Sequence, residues 1–461
     1  MTQRHLDRLN PEDTSFLAVD RGTTYGNPGF LFTVDGQPPT QRELERHMGA
    51  CVERMPRLRH RLQRTPLGLG RPWWVEDPSF QLDWHVRSLA IASEPELHAA
   101  VARIFSQRMD ETKPLWELWL LSGYAPDRFT VAFKTHHCVG DGVSFGQHFT
   151  RVLLDAEDGA APVSARSAAP APTNVAPPSQ LQLLREAWRR RVRAARGAAA
   201  RVRGPSTALR EHALALLELA FAWLRHPAPR LPSLNGPLSP HRQLLWRSRD
   251  LDEQLQVRSM LGGTLNDAFL TAFSSALRRW LAKHGLCPYA VLVGVPVNLR
   301  PPGEEARLGN EMTGMRLVLP LEPADPLARH REIVERTRRL KSSRQLAGAQ
   351  LVTAFDWATP ARALGGAMRF HTSTRFFNVF ASNLPGPREP LFLLGRRVTH
   401  IHPCNILLTG QRVIVTLMSY AGTACLTVVA DAGVDAAGLC DAIEEGFDEL
   451  QAAARAQGAS V

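Results

Sequence analysis

The 461-residue chain lacks long hydrophobic runs. Its longest, HALALLELAFAWL at 212–224, is broken by Glu218 and falls short of the about 20 apolar residues needed to span a bilayer. The opening MTQRHLDRLNPEDTSFL has no continuous apolar stretch of the kind a secretory signal requires, so the expectation is a protein made and kept in the cytoplasm. Cysteine is sparse. Cys51, Cys138, Cys287, Cys404, Cys425 and Cys440 form no CxxC pair, which argues against a disulfide framework or a structural zinc site. There is no GxSxG elbow and no Walker loop, and GLGRPW lacks the third glycine of a dinucleotide fingerprint. No cysteine has an evident activating partner. Covalent Ser or Cys catalysis and phosphate-loop chemistry therefore have no support.

What is present is a globular composition, 44% hydrophobic and 21% charged, in a chain long enough for two cores. The net charge of +11 is local. Residues 185–203, REAWRRRVRAARGAAARVR, hold eight arginines and one glutamate, and so carry +7 of it. Within 179–225, Leu181, Leu184, Trp188 and Val192 recur at helical spacing beside those arginines. Such a helix can rest on anionic lipid headgroups or serve as a solvated connector. Nucleic acid is not expected as a partner, because no recognition motif or aromatic stacking platform accompanies the arginines.

Alternating strand-like and helical segments in two halves predict an α/β protein. GFLFTVDG (29–36), LWELWLL (115–121) and FTVAFKT (129–135) read as strands. Thr40 with Glu43, and Ser93 with Glu96, have capping-box spacing. The Ala/Pro/Ser-rich 158–178 reads as a linker, followed by helical stretches at 180–203 and 206–225. Later come a hairpin with its turn at Ala421-Gly422-Thr423 and a last helix from about Ala436. The expected division is an N-terminal subdomain 1–157, a connector 158–239 and a C-terminal subdomain 240–461.

The chemistry concentrates at KTHHCVGDGVSFG (134–146). A histidine titrates near neutrality, so His137 can take a proton from a hydroxyl and return it. It lies where a strand ends and Gly140 and Gly142 permit a sharp turn and close approach. Adjacent strand residues face opposite sides, so His136 reads as structural support. Asp141 can fix the loop by pairing with an arginine or by capping a helix over 143–154. A metal site needs further ligands, and none stands at suitable spacing.

His136, His137, Asp141 and Gly142 make up HHxxxDG, which resembles the signature of the coenzyme-A-dependent acyltransferase superfamily. LNPEDTSFL (9–17), KPLWELWLL (113–121), LNDAFLTA (265–272), VPVNLR (295–300), LGNEM (308–312) and SNLPGPREPLFLLGRRV (382–398) narrow the likeness. They are similar to the bacterial bifunctional wax ester synthase/diacylglycerol acyltransferases. The resemblance implies two chloramphenicol-acetyltransferase-like subdomains with mixed sheets and a channel between them. It implies His137 as general base for direct attack of a hydroxyl on a thioester, with acyl-CoA as a substrate and no cofactor. Diacylglycerol or a fatty alcohol would be the acceptor, giving triacylglycerol or wax ester. Peripheral placement at the inner membrane face or on lipid droplets would suit such substrates. Gly142, Pro114, Leu115, Trp116, Asn266, Ser382 and Asn383 become candidate substrate-binding residues. Pro114, Leu115 and Trp116 match a motif thought to shape the acyl channel, but they also read as a strand entering a core. Asn266, Ser382 and Asn383 are candidate oxyanion donors, but Asn266 also reads as part of a helix cap and Asn383 as a turn residue. Two alternatives share the motif: a relative acylating a specialised metabolite, and a non-catalytic lipid-binding relative. Cys138 stands where a small residue is common, and the aromatic FNVFASN points to a differently shaped acyl pocket.

Overall fold

The computed structural model describes residues 8–157, 179–202, 214, 227–300, 308–342 and 361–458. The linker expected at 158–178 and nearly all of the helix expected at 206–225 lie outside these. The strands are β1 (Gly29–Asp35), β2 (His60–Gln63), β3 (Trp73–Glu76), β4 (Val86–Ala90), β5 (Trp116–Ser122), β6 (Arg128–Thr135), β7 (Arg242–Asp250), β8 (Ala290–Asn298), β9 (Met312–Pro320), β10 (Val379–Pro385), β11 (Phe392–Leu393), β12 (Arg396–Cys404), β13 (Val413–Tyr420) and β14 (Thr423–Asp431). The longer helices are α1 (Pro11–Val19), α2 (Gln41–Arg54), α3 (Glu94–Phe105), α4 (Gln180–Val202), α5 (Leu251–Leu261), α6 (Leu265–Lys283), α7 (Pro326–Ser342), α8 (Ala361–His371) and α9 (Ala436–Gly458).

Two six-stranded mixed sheets form the frame, in the orders β11-β12-β1-β6-β5-β4 and β7-β14-β13-β10-β8-β9. A separate ribbon joins β2 to β3. Local chemistry accounts for several elements. Thr40 and Glu43 close a reciprocal capping box that starts α2. Ser93 accepts from the Glu96 amide at α3, but the Glu96 carboxylate takes the Ala92 amide rather than the Ser93 amide. Ala421 and Gly422 both adopt positive φ (40° and 85°), as a two-residue turn between right-twisted strands needs, and β13 pairs with β14 from Tyr420↔Thr423 onward.

The division expected at residue 240 is crossed by the sheets. β12 pairs antiparallel with β1, Gly29 opposite Cys404, so a segment from the C-terminal region completes the N-terminal sheet. An uncovered β1 edge would leave a row of backbone donors and acceptors unpaired. The core follows the same plan. Leu391, Val398, Ile401 and Tyr420 pack with N-terminal residues such as Phe32, Leu44 and Phe129. A further cluster joins Leu31 and Phe105 to Leu244, Phe377 and Ile414.

Candidate active site

Strand β6 ends at Thr135, and the chain then turns tightly. The His137 amide donates to Gly26 O (2.7 Å), and the Val139 amide to His136 O (2.9 Å). His136 is buried and faces away from the cavity described below. The Cys138 amide donates to its Nδ1 (3.1 Å), which leaves Nε2 to donate to Asp20 Oδ2 (3.2 Å). Asp20 is itself held by Arg108 Nε (2.7 Å), and its carboxyl sits below the usual range because its bonds to His136 and Arg108 outweigh burial. A Cβ at Gly26 would come within 2.6 Å of His136 Nε2, so this side of the loop is closely packed.

The His137 ring stacks on Phe16 of α1, centroids 3.8 Å apart and planes 7° from parallel. It lines a cavity of about 1380 Å³ with Asp13, Gly142, Asn310, Ser382 and Asn383. Its Nδ1 is buried without a hydrogen-bond partner. Burial, first of all, pushes its pKa from the usual 6.5 down to about 4, so the ring is neutral at pH 7. A neutral imidazole in a large, largely apolar cavity can accept a proton.

Asp141 performs both roles that the sequence allows it. Oδ1 accepts from the Ser144 amide (3.0 Å), and Oδ2 accepts from Arg300 Nη1 (2.6 Å) and the Glu311 amide (3.0 Å). Arg300 Nη2 also donates to Ser144 Oγ (2.8 Å) and to Gly309 O. The segment expected as a helix over 143–154 is a π-helical stretch, Ser144–Phe149, followed by one α turn, Thr150–Leu153. The wider coil occurs where Gly146 lies against Met418 and Pro385 O of the second sheet's strands.

Residues 308–312 run beside the motif. The Gly309 amide donates to Val139 O (3.3 Å), and Asn310 Nδ2 donates to His137 O (2.7 Å) and Asp13 Oδ1 (2.8 Å). Asp13 is buried, and burial raises its pKa to about 7 against the opposing bonds from Asn310. Beside it, burial and the Asp13 charge push Glu12 well upward. Sequence reasoning assigned no role to Asp13, Phe16, Arg300 or Asn310, although all four lie in quoted motif segments. A buried acid in LNPEDTSFL and a buried base in VPVNLR were the available signals.

Ser382, Asn383 and Gly142 line the cavity. Gly142 faces Leu384, whose Cδ2 lies 2.7 Å from where a Cβ would stand. Four candidates do not reach it. Pro114, Leu115 and Trp116 are buried away from the cavity lining. Trp116 donates from Nε1 to Leu58 O (2.7 Å) and stacks on His85 at 4.5 Å, and Leu115 O accepts the His136 amide (3.2 Å). Leu115 and Trp116 pack in the first core, where β5 begins. Asn266 lies in the first turn of α6, outside the lining; Thr264 and Asp267 form that helix's capping box, and Asp267 also accepts from Thr337 Oγ1 (2.7 Å). Cys138 is a buried packing residue. The aromatic preceding Ser382 has a spatial consequence: Phe380 lines the cavity and its ring covers Gly294. Among the described residues no cluster of His, Cys, Asp and Glu is arranged to hold a metal, and no helix is long and apolar enough to cross a membrane.

Two mixed sheets enclosing a cavity, with an HHxxxDG loop on its wall, define the class as a coenzyme-A-dependent acyltransferase fold. Residues 9–269 match the wax ester synthase/diacylglycerol acyltransferase catalytic domain, and residues 308–451 match the C-terminal domain of the same group. The chain therefore belongs to the wax ester synthase/diacylglycerol acyltransferase family, and it is an acyltransferase. It is 31% identical to a putative diacylglycerol O-acyltransferase of Mycobacterium tuberculosis, over 98% of both chains. A probable diacylglycerol O-acyltransferase of the same species is 29% identical over 95% of both. Among solved structures, the wax ester synthase/diacylglycerol acyltransferase from Marinobacter aquaeolei VT8 superposes with a TM-score of 0.64 at 22% identity, covering 97% of this chain and 99% of that one. The first condensation domain of the CDA synthetase shares the fold at TM-score 0.61 and 16% identity, covering 98% and 96%.

Proposed function

We propose that the protein transfers a long-chain acyl group from acyl-coenzyme A to the hydroxyl of diacylglycerol or a fatty alcohol. His137 takes the hydroxyl proton as the oxygen attacks the thioester carbonyl. The tetrahedral intermediate then collapses, the carbon–sulfur bond breaks, and the imidazolium returns its proton to the departing thiolate. No acyl-enzyme forms. Ser382 and Asn383 are the donors proposed for the oxyanion. The observation that carries the reading is a neutral His137 imidazole on the wall of a large cavity lined also by Phe30, Leu308, Met368, Phe380 and Ile414. His136 and Asp141 act as positioning residues, through Asp20 and Arg300 respectively.

Release of free coenzyme A by the purified protein should require both an acyl-coenzyme A and a hydroxyl acceptor, and should vanish in His137→Ala. A panel of alcohols, with diacylglycerol and fatty alcohols beside polar specialised metabolites, separates this reading from the alternative acceptor class. Lipid binding without turnover for any pair would favour a non-catalytic relative.

Association with a lipid surface is part of the same proposal. On α4, Leu183 and Ala187 are buried, while Leu181 (57% exposed) and Trp188 (69%) project outward among arginines. That apolar pair in a basic helix suits an anionic membrane or droplet surface. Flotation with anionic liposomes should weaken in Leu181→Ser/Trp188→Ser; equal flotation would remove the membrane contact from the proposal.

A further inference from the structure

One carboxyl on the cavity wall has no task in the proposed transfer step. Glu12 stands in the first turn of α1, and it lines the cavity with Asp13 and Phe16. Glu12 and Phe16 are four residues apart on one helix, so they share a face, with about 5–6 Å between their Cβ atoms. Phe16 is the ring on which His137 stacks, at 3.8 Å. Glu12 therefore stands one helical turn from the ring that supports His137.

Its partners in the protein are few. The Met312 amide donates to Glu12 Oε2 at 3.4 Å, and the carboxyl makes no other hydrogen bond and no ion pair among the described residues. Arg300, whose charge it feels, is committed to Asp141, Ser144 and Gly309. Burial and the charge of Asp13 favour the neutral carboxyl, which carries an O–H donor. A second polar group follows Met312 in β9. Thr313 is 6% exposed and lines the cavity, and its hydroxyl has no hydrogen-bond partner among the described residues. Polar groups left half-buried or buried without partners are costly until a ligand supplies them. Elsewhere the lining is apolar, with Phe30, Met368, Phe380 and Ile414, and suits hydrocarbon chains.

We infer that the Glu12 carboxyl donates a hydrogen bond to an ester carbonyl of the acyl acceptor while His137 engages the acceptor's hydroxyl, and so makes diacylglycerol preferred over a fatty alcohol. This rests on the proposed transfer to a lipid hydroxyl and decides between its two acceptors. In a 1,2-diacylglycerol one ester stands on the carbon next to the one bearing the hydroxyl, so a single stretch of wall can hold both. A fatty alcohol has no second oxygen. A site that hydrogen-bonds a substrate group discriminates against the analogue lacking it, because the site's own group is then left unpaired. An ionised Glu12 would accept from a second hydroxyl instead, as in a monoacylglycerol.

The test uses full-length protein carrying Glu12→Leu, Glu12→Ala or Glu12→Gln, the last keeping an N–H donor. Turnover is measured with one acyl-coenzyme A and, in turn, 1,2-dioctanoylglycerol, 1-octanoylglycerol and 1-decanol. The ratio of kcat/KM for dioctanoylglycerol to that for decanol should fall at least tenfold in Glu12→Leu and Glu12→Ala, chiefly through KM for dioctanoylglycerol. Glu12→Gln should keep most of the wild-type ratio. Binding of dioctanoylglycerol and of decanol, titrated without acyl-coenzyme A, should show the same change in the ratio of dissociation constants. That titration reads the role of Glu12 even if the wild type turns over no pair, an outcome that would remove the transfer reading instead. Ratios that stay at wild-type values overturn the inference, as does an equal loss for both acceptors. A Glu12→Gln ratio as low as that of Glu12→Leu, or a selective loss of octanoylglycerol, also overturns it by removing the donated bond.

Discussion

At the scale of single residues, His137 and Asp141 divide their labour by environment. His137 is kept neutral by burial, so its base form persists down to about pH 4. The acid limb of kcat/KM should therefore fall near pH 4, not near the 6.5 of a solvated imidazole, in a profile measured from pH 4 to 9 with a folding control. Asp13, raised to about 7, touches the same Asn310 that holds the His137 carbonyl. An inflection near pH 7 that disappears in Asp13→Asn belongs to that carboxyl and not to His137. Asp141 is tied to a fully buried Arg300. Removing one partner leaves a charge enclosed and uncompensated, so Arg300→Ala should lower stability by about 3–5 kcal/mol in urea unfolding. The sequence made His137 and Asp141 legible through their motif. It hid Arg300 and Asn310, because their significance is a contact with residues more than 150 positions away.

At the scale of elements, the motif loop is gripped from both sides. The 308–312 segment hydrogen-bonds its backbone, and β10 presents Leu384 against Gly142. A methyl at Gly142 must push aside the Leu384 side chain, which itself lines the cavity. Gly142→Ala should therefore reduce kcat by more than its effect on thermal stability would explain; parallel activity and melting measurements show the split. Elements set by local chemistry were readable beforehand: the Thr40 cap, the turn at 421–422 and the helix from Ala436. The π-helical turn after Asp141 was not, since an α and a π turn share an apolar pattern and differ through what packs against them. Trp116 shows the same limit. Alternation along β5 identifies a buried face, but whether that face meets a core or a cavity depends on which layer covers the sheet.

At the scale of the whole molecule, the two halves are interlocked. β12 pairs with β1 in the first sheet, while Arg300 and Asn310 reach from the second half into the HHxxxDG loop of the first. Thermal unfolding should accordingly be a single transition by both calorimetry and circular dichroism. Residues 1–157 expressed alone should be insoluble or molten, with the β1 edge open. The two-sheet α/β architecture was legible from alternating segments. The exchange of a strand between halves was not, because antiparallel pairing across so long a separation leaves no local pattern.

That exchanged strand bears on how this family can be recombined. A chimera cut at the linker would join a foreign β11–β12 to the native β1, mismatching the first sheet at its centre. Pro403 and Cys404, at the end of β12, also line the cavity. A graft intended to change acyl preference should therefore carry residues 392–404 with the N-terminal donor, treating them as a distant exon of the first sheet and leaving the rest of the second half in place.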